Sequence, residues 1–156
     1  MSEEKVREYF HQHGFANRIM KFDRSSATVE LAAAVLGCEP GRIAKTLYFA
    51  LKTRVLLIVT AGDARVDNAK YKTRFGAKAK MLPREETEAL TGYPVGGVCP
   101  FAVNPGVEIY LDRSLQKYDH VFPACGSADS AIDMSIAELE RYSGGVWVDV
   151  CKNGEN

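Results

Sequence analysis

Lys45-Thr46-Leu47-Tyr48-Phe49-Ala50-Leu51, then Lys52-Thr53-Arg54, then Val55-Leu56-Leu57-Ile58-Val59-Thr60: two apolar runs of strand length flank a three-residue polar break. Both runs are rich in aliphatic, β-branched and aromatic side chains, so they read as a buried β-hairpin. Upstream, a helix is expected over residues 3–13. Ser2 is its cap, Val6, Tyr9 and Phe10 form its apolar face, and Gly14 ends it. A short strand over 18–22 comes next. A helix over 27–36 follows, with Ser26 as cap, Glu30 complementing the dipole and Gly37 as the stop. Pro40 suits the first turn of a short helix over 40–44.

Downstream of the hairpin, Asp67 caps a helix over 67–75 that Gly76 ends, 78–82 reads as a short strand, and a helix over 83–91 stops at Gly92. Residues 92–101 hold three glycines and two prolines, so they form a shaped loop. Extended stretches over 101–103 and 107–112 flank the turn signal Asn104-Pro105-Gly106. Strands are expected over 120–124, 131–134 and 146–150. Ser135-Ile136-Ala137-Glu138 is a capping box that opens a helix between the last two. The tail after Cys151 is expected to fray. Hairpin-clustered strands with helices that do not alternate strictly favour α+β with a mixed sheet.

A chain of 156 residues suits one domain, residues 1–156, and can bury a full core without disulfides or a structural metal. With 46% hydrophobic and 26% charged residues it is not a disordered chain. Twenty Lys and Arg balance twenty Asp and Glu, which argues against a general nucleic-acid coat protein but leaves room for a local basic patch. The longest apolar run, 31–36, is six residues, too short to span a bilayer. The charged start has no apolar core of a signal peptide, and a cytoplasmic address is the expectation. Cys38, Cys99, Cys125 and Cys151 form no Cys-x-x-Cys pair and read as reduced, partly buried residues. His11, His13 and His120 show no zinc spacing, so no metal site is expected.

Three features carry candidate chemistry. Gly41-Arg42-Ile43-Ala44-Lys45-Thr46 resembles a phosphate-binding loop only in its Lys-Thr. Glu39 and Ala44 stand where glycines are needed, and the strand–loop–helix order is reversed. What remains is Lys45 at the mouth of a buried strand, either a snorkelling side chain or a functional cation. The glycine loop reads as a connector or as backbone that approaches a ligand closely. Its Cys99 lacks a neighbouring base. Between Asn68 and Arg84 lie six cations and no acid, with Tyr71 and Phe75 interleaved. That strip is a solvated face or a phosphate-contact surface. Glu85, Glu86 and Glu88 crowd one helix and offer no convergent acid pair.

Several stretches, in this order, resemble the YbaK/ProX family of aminoacyl-tRNA editing domains, related to the insertion domain of bacterial prolyl-tRNA synthetases. They are Thr28-Val29-Glu30-Leu31-Ala32-Ala33 with Leu36-Gly37, Ile43-Ala44-Lys45-Thr46-Leu47, Ala61-Gly62-Asp63, Lys70, Phe75-Gly76-Ala77-Lys78, Gly96 to Pro100 as Gly-x-x-x-Pro, and Gly126-Ser127 with Ala131-Ile132-Asp133. The resemblance covers roughly residues 28–150. It implies one mixed sheet, partly curled into a barrel and surrounded by helices, and hydrolysis of the ester in a mischarged aminoacyl-tRNA. It implies Lys45 as the key functional residue, with Gly96 and Gly97 supplying amides to the oxyanion. Thr46, Pro100, Gly126, Ser127 and Asp133 are implied on the substrate side. Lys70, Lys72, Arg74, Lys78 and Lys80 would face the tRNA acceptor end. An aminoacyl-tRNA synthetase is a further partner in this reading, and no cofactor, membrane or DNA is called for. A non-catalytic tRNA- or synthetase-binding module of the same fold, and a small-molecule hydrolase, are the alternatives.

Overall fold

A computed structural model describes residues 2–152. Of the tail expected to fray after Cys151, residues 153–156 lie outside the described residues, as does the side chain of Ser2. Helix α1 (Ser2–Gln12) is followed by a single 3₁₀ turn, strand β1 (Ile19–Lys21) and helix α2 (Val29–Leu36). Thr28, not Ser26, caps α2: its hydroxyl accepts the Leu31 N–H at 3.1 Å. Ser26 instead bonds the Ala128 carbonyl through both N–H (2.7 Å) and hydroxyl (3.3 Å). The helix expected over 40–44 is one 3₁₀ turn, Pro40–Arg42, because Ile43 and Ala44 already pair in the sheet.

The hairpin is β2 (Ile43–Leu51) against β3 (Arg54–Ala61), antiparallel from Ala44↔Ala61 to Leu51↔Arg54. Its turn is two residues, since Arg54 belongs to β3. Lys52 therefore sits at φ 58°, a left-handed conformation that costs roughly 1–2 kcal/mol outside glycine. Asp67 caps helix α3 (Asn68–Phe75), and Gly76 ends it in the left-handed conformation. Residues 78–82 make only one bridge, Phe49↔Met81, rather than a strand. Helix α4 (Thr87–Thr91) follows a 3₁₀ turn at Arg84–Glu86, which shortens the helix expected over 83–91. The stretch 101–103 is not a strand. Ala102 lies at φ 49°, and the Tyr93 hydroxyl donates to the carbonyls of Phe101 and Ala102, which takes this segment out of an extended ladder.

Strand β4 (Glu108–Asp112), a 3₁₀ turn at Arg113–Lys117, β5 (His120–Pro123), β6 (Ser130–Ile132), β7 (Met134–Ser135), α5 (Ile136–Ser143) and β8 (Val146–Val148) complete the order. Six strands form one curled mixed sheet, β7-β5-β2-β3-β4-β8, as the α+β reading expects. β1 and β6 form a separate two-stranded ribbon. The strand expected over 131–134 is thus split at Asp133: its first part pairs with β1 and its second with β5.

Alternate side chains of β2 and β3 serve opposite faces. Ala44, Leu57 and Val59 join Val6, Phe10 and Leu139 beneath α1 and α5. Phe49, Leu51, Leu56 and Ile58 meet Tyr71 beneath α3. A smaller cluster packs Ala32 and Ala33 of α2 on Ile43. Lys45 shares the parity of Phe49, and Thr46 that of Ala44, so these neighbours face opposite sides of the sheet.

Arg54 clamps Glu108 through two bonds of 2.6 and 2.7 Å, joining β3 to β4, and the Tyr110 hydroxyl donates to the same carboxylate at 2.7 Å. These donors, the Arg54 bond first, pull the Glu108 pKa down to about 2 from 4.5. A carboxyl whose folded pKa is depressed stabilises above its unfolded value and loses that contribution as pH falls toward the folded one. Glu108→Gln should therefore be less stable than wild type at pH 6, with the gap in urea midpoint closing by about pH 2. A gap independent of pH would show that the charge of Glu108 is immaterial.

Candidate active site

β5 pairs with β2 only at Ile43 and Ala44. Farther along the same edge the 80–82 segment takes over: Ala50 donates its N–H to the Lys80 carbonyl (2.8 Å), and Tyr48 accepts the Leu82 N–H (3.1 Å). Those bonds show that the even-numbered peptide groups of β2 face away from β3. Thr46 is next in that row and falls between the two pairing partners. Its N–H and C=O are turned toward an interruption in the sheet edge.

A cavity of about 220 Å³ occupies this interruption. Thr46 and Tyr48 line it from β2, Gly96 and Val98 from the glycine loop, and Ala124 and Ala131 from the β5–β6 region. Thr28 and Val29 close it at the start of α2, and Met81 at the far rim. The Thr46 hydroxyl is buried and without a hydrogen-bond partner. A buried hydroxyl left unpaired is destabilising by roughly 1–3 kcal/mol.

Lys45 lines this cavity and also a larger groove of about 860 Å³, bounded by Glu30, Leu47, Gly62, Arg65 and Ala79. Its ammonium donates to the carbonyls of Ala64 (2.6 Å) and Gly62 (3.2 Å). Partial burial lowers its pKa, and Cys151 and Asp63 offset only part of that. An ammonium has three protons. Two are used on neutral carbonyls, and the acids nearest the charge, Asp63 and Glu30, act on it without a hydrogen bond.

The loop 92–101 enters the site through Gly96, at φ 91°, facing Ala27 and Ala128. Gly97 does not offer the amide expected of it, because its N–H donates to the Pro94 carbonyl at 2.9 Å. Its part is steric: a Cβ there would lie 2.7 Å from the Cα and N of Ser127. Pro100 and Gly126 are buried, and neither lines the cavity. Ser127 bonds Asp129 (2.9 Å) and Ser130 (2.8 Å), so it braces the site from outside the cavity. Asp133 does not join the site: it pairs with His120 at 2.8 Å in a different hollow with Arg18 and Glu138.

The basic strip divides. Lys70 donates to Asp149 (3.1 Å) and to the Cys151 carbonyl (2.9 Å), tying α3 to the C-terminal segment rather than facing solvent as a tRNA contact would. Arg74 lies over the rings of Phe75 and Tyr110. Lys72, Lys78 and Lys80 are exposed, while Tyr71 is core. Cys99 is fully buried, and burial pushes its thiol up to about 12, unlike an activated nucleophile. Among the described residues no three His, Cys, Asp or Glu side chains gather as metal ligands, and no helix is long and apolar enough to cross a membrane. Sequence reasoning missed Thr28, Met81, Ala124 and Ala131, whose roles come only from tertiary placement. It also missed the carbonyls that seat Lys45.

Residues 23–142 match the family described as the aminoacyl-tRNA editing domain. The protein YwhH of Bacillus subtilis (strain 168), itself uncharacterised, is 48% identical over 157 residues, covering 99% of this chain and 100% of that protein. EbsC of Enterococcus faecalis (strain ATCC 700802 / V583), a proposed Cys-tRNA(Pro)/Cys-tRNA(Cys) deacylase, is 29% identical over 125 residues, 79% of this chain and 76% of EbsC. The crystal structure of a proposed trans-editing enzyme for prolyl tRNA synthetase superposes with a TM-score of 0.87 at 28% identity, covering 97% of this chain and 98% of that one.

Proposed function

We propose, from the premise that the chain belongs to the aminoacyl-tRNA editing domain family, that it hydrolyses the ester of a mischarged aminoacyl-tRNA in trans. The observation that carries this reading is the seat of Lys45, a cation held by two neutral carbonyls on the wall shared by the small cavity and the larger groove. The small cavity takes the aminoacyl group, and the groove takes the terminal nucleoside. Lys45 directs its remaining proton to the ester carbonyl or the terminal phosphate. The Thr46 peptide N–H and the Gly96 amide face the carbonyl oxygen as charge develops on it.

An aminoacyl ester is already activated, so the site has little to supply beyond placement and charge stabilisation. Water, held beside a ribose hydroxyl of the substrate, adds to the carbonyl carbon. The bond to the ribose oxygen then breaks, and that oxygen leaves with a proton derived from the nucleophile. No protein nucleophile is needed, which fits the buried state of Cys99.

A deacylation screen over a panel of correctly charged and mischarged tRNAs tests the reading. Release of amino acid is expected from at least one mischarged tRNA, with the cognate pair spared. Salt-sensitive binding of tRNA with no release across the panel would replace the enzyme by a tRNA-binding module.

A further inference from the structure

A second cleft, of about 540 Å³, opens on the far side of Ala64, the residue whose carbonyl seats Lys45. Asp63, Ala64 and Arg65 line both this cleft and the Lys45 groove, so the two are adjacent. Its other walls are the Arg113–Lys117 turn and the 149–152 segment. Four cations reach it from three places in the chain: Arg65, Arg113, Lys117 and Lys152.

The acids of the cleft are largely committed elsewhere. Asp112 is buried and accepts the N–H groups of Val150 and Ser114, each at 2.8 Å. Asp149 is shared between Lys70 (3.1 Å) and Arg113 (3.5 Å). Among the described residues lining the cleft, Asp63 is the acid left to oppose Arg65, Lys117 and Lys152, all of them exposed. In a chain of formal charge 0 this is a local surplus of cations, and it begins where the proposed nucleoside groove ends.

We infer that this cleft binds the phosphodiester backbone of the single-stranded 3′ end of the substrate tRNA, with Arg65 leading the strand out of the Lys45 groove. The inference rests on the editing reading and deepens it. It assigns the strand contact to Arg65, Lys117 and Lys152 rather than to the α3 strip, whose Lys70 is already engaged. Phosphate contacts are point-charge interactions, so the cleft adds affinity without reading bases.

The test uses a fluorescent single-stranded RNA ending in CCA, uncharged, so that its outcome does not depend on catalysis. Lys117→Glu/Lys152→Glu should weaken binding about tenfold at low salt and flatten the slope of log K against log salt by about 1.4, two lost contacts at 0.7 each. Arg141→Glu, a distant exposed cation on α5, is the charge control and should leave both unchanged. Thermal melting of each variant checks the fold. Unaltered affinity and slope in the double variant would overturn the inference, as would an equal loss with a blunt RNA duplex. Failure of the deacylation screen with this binding intact would remove the catalytic reading and leave the cleft.

Discussion

Lys45→Ala yields a folded protein whose release of amino acid from a mischarged tRNA falls by on the order of 10²–10³, the usual effect of deleting one electrostatic stabiliser of an oxyanion. The fold is expected to survive because partial burial of this ammonium works against the bonds it makes in the free protein. Charge-assisted bonds to the Ala64 and Gly62 carbonyls stabilise by roughly 1.5–3 kcal/mol each, against the desolvation that lowers the pKa of Lys45. Removing the ammonium relieves its desolvation as it frees two part-exposed carbonyls for water, while the ligand loses its cation. Lys45→Met separates charge from packing by keeping an unbranched apolar side chain, and should be as inactive as alanine. Single-turnover deacylation, beside urea midpoints for all three proteins, reads the result. Wild-type turnover in Lys45→Ala would end the role given to this residue.

Gly97→Ala is expected to damage both stability and turnover. The new methyl would stand 2.7 Å from Ser127 Cα and N and 2.8 Å from Gly126 C, all main-chain atoms that cannot rotate aside. Overpacking of this kind destabilises by about 1–3 kcal/mol. On a chain of this size that lowers the melting temperature by several degrees. The loop must retreat from the 126–127 turn and carry Gly96 with it. A shift near 1 Å at a site that works by placement costs about 10² in rate. Gly106→Ala is the comparison: its φ is 88° but no atom lies within 4 Å of the added methyl, so it should lose some stability and keep its kinetics. Equal kinetics in the two variants would show that the loop does not set the site.

Local signals in the sequence located most elements because their causes are local. The β2–β3 hairpin, the Asp67 cap, the Ser135–Glu138 capping box and the glycines after α2, α3, α4 and α5 each act within a few residues. Thr28 displaced Ser26 as a cap because both are good acceptors two residues apart, and only the distant Ala128 carbonyl decides between them. Sheet order is the opposite case. β4 joins β3 in parallel and β8 joins β4, pairings set by long-range packing that no short pattern encodes.

The site was legible to the same extent. Lys45 and the glycine loop stood out through family resemblance, and they do share a cavity wall. Asp133, only two residues from Ala131, turns to the other side at the β6–β7 break and meets His120 instead. Gly97 looked like an amide donor because nothing in the sequence shows that Pro94 claims its N–H. The Thr46 peptide group was invisible for a simpler reason: it is backbone, placed between the end of the β5 pairing and the start of the 80–82 segment.

That break in the ladder also bears on how such a protein changes over generations. Donors belonging to the main chain survive any exchange of side chain at their own position. Under the proposed reading, the surrounding Val29, Met81 and Ala131 can drift in size and alter which acyl group fits, while the main-chain donors are inherited untouched. Divergent selectivity on a constant reaction is what such an arrangement permits.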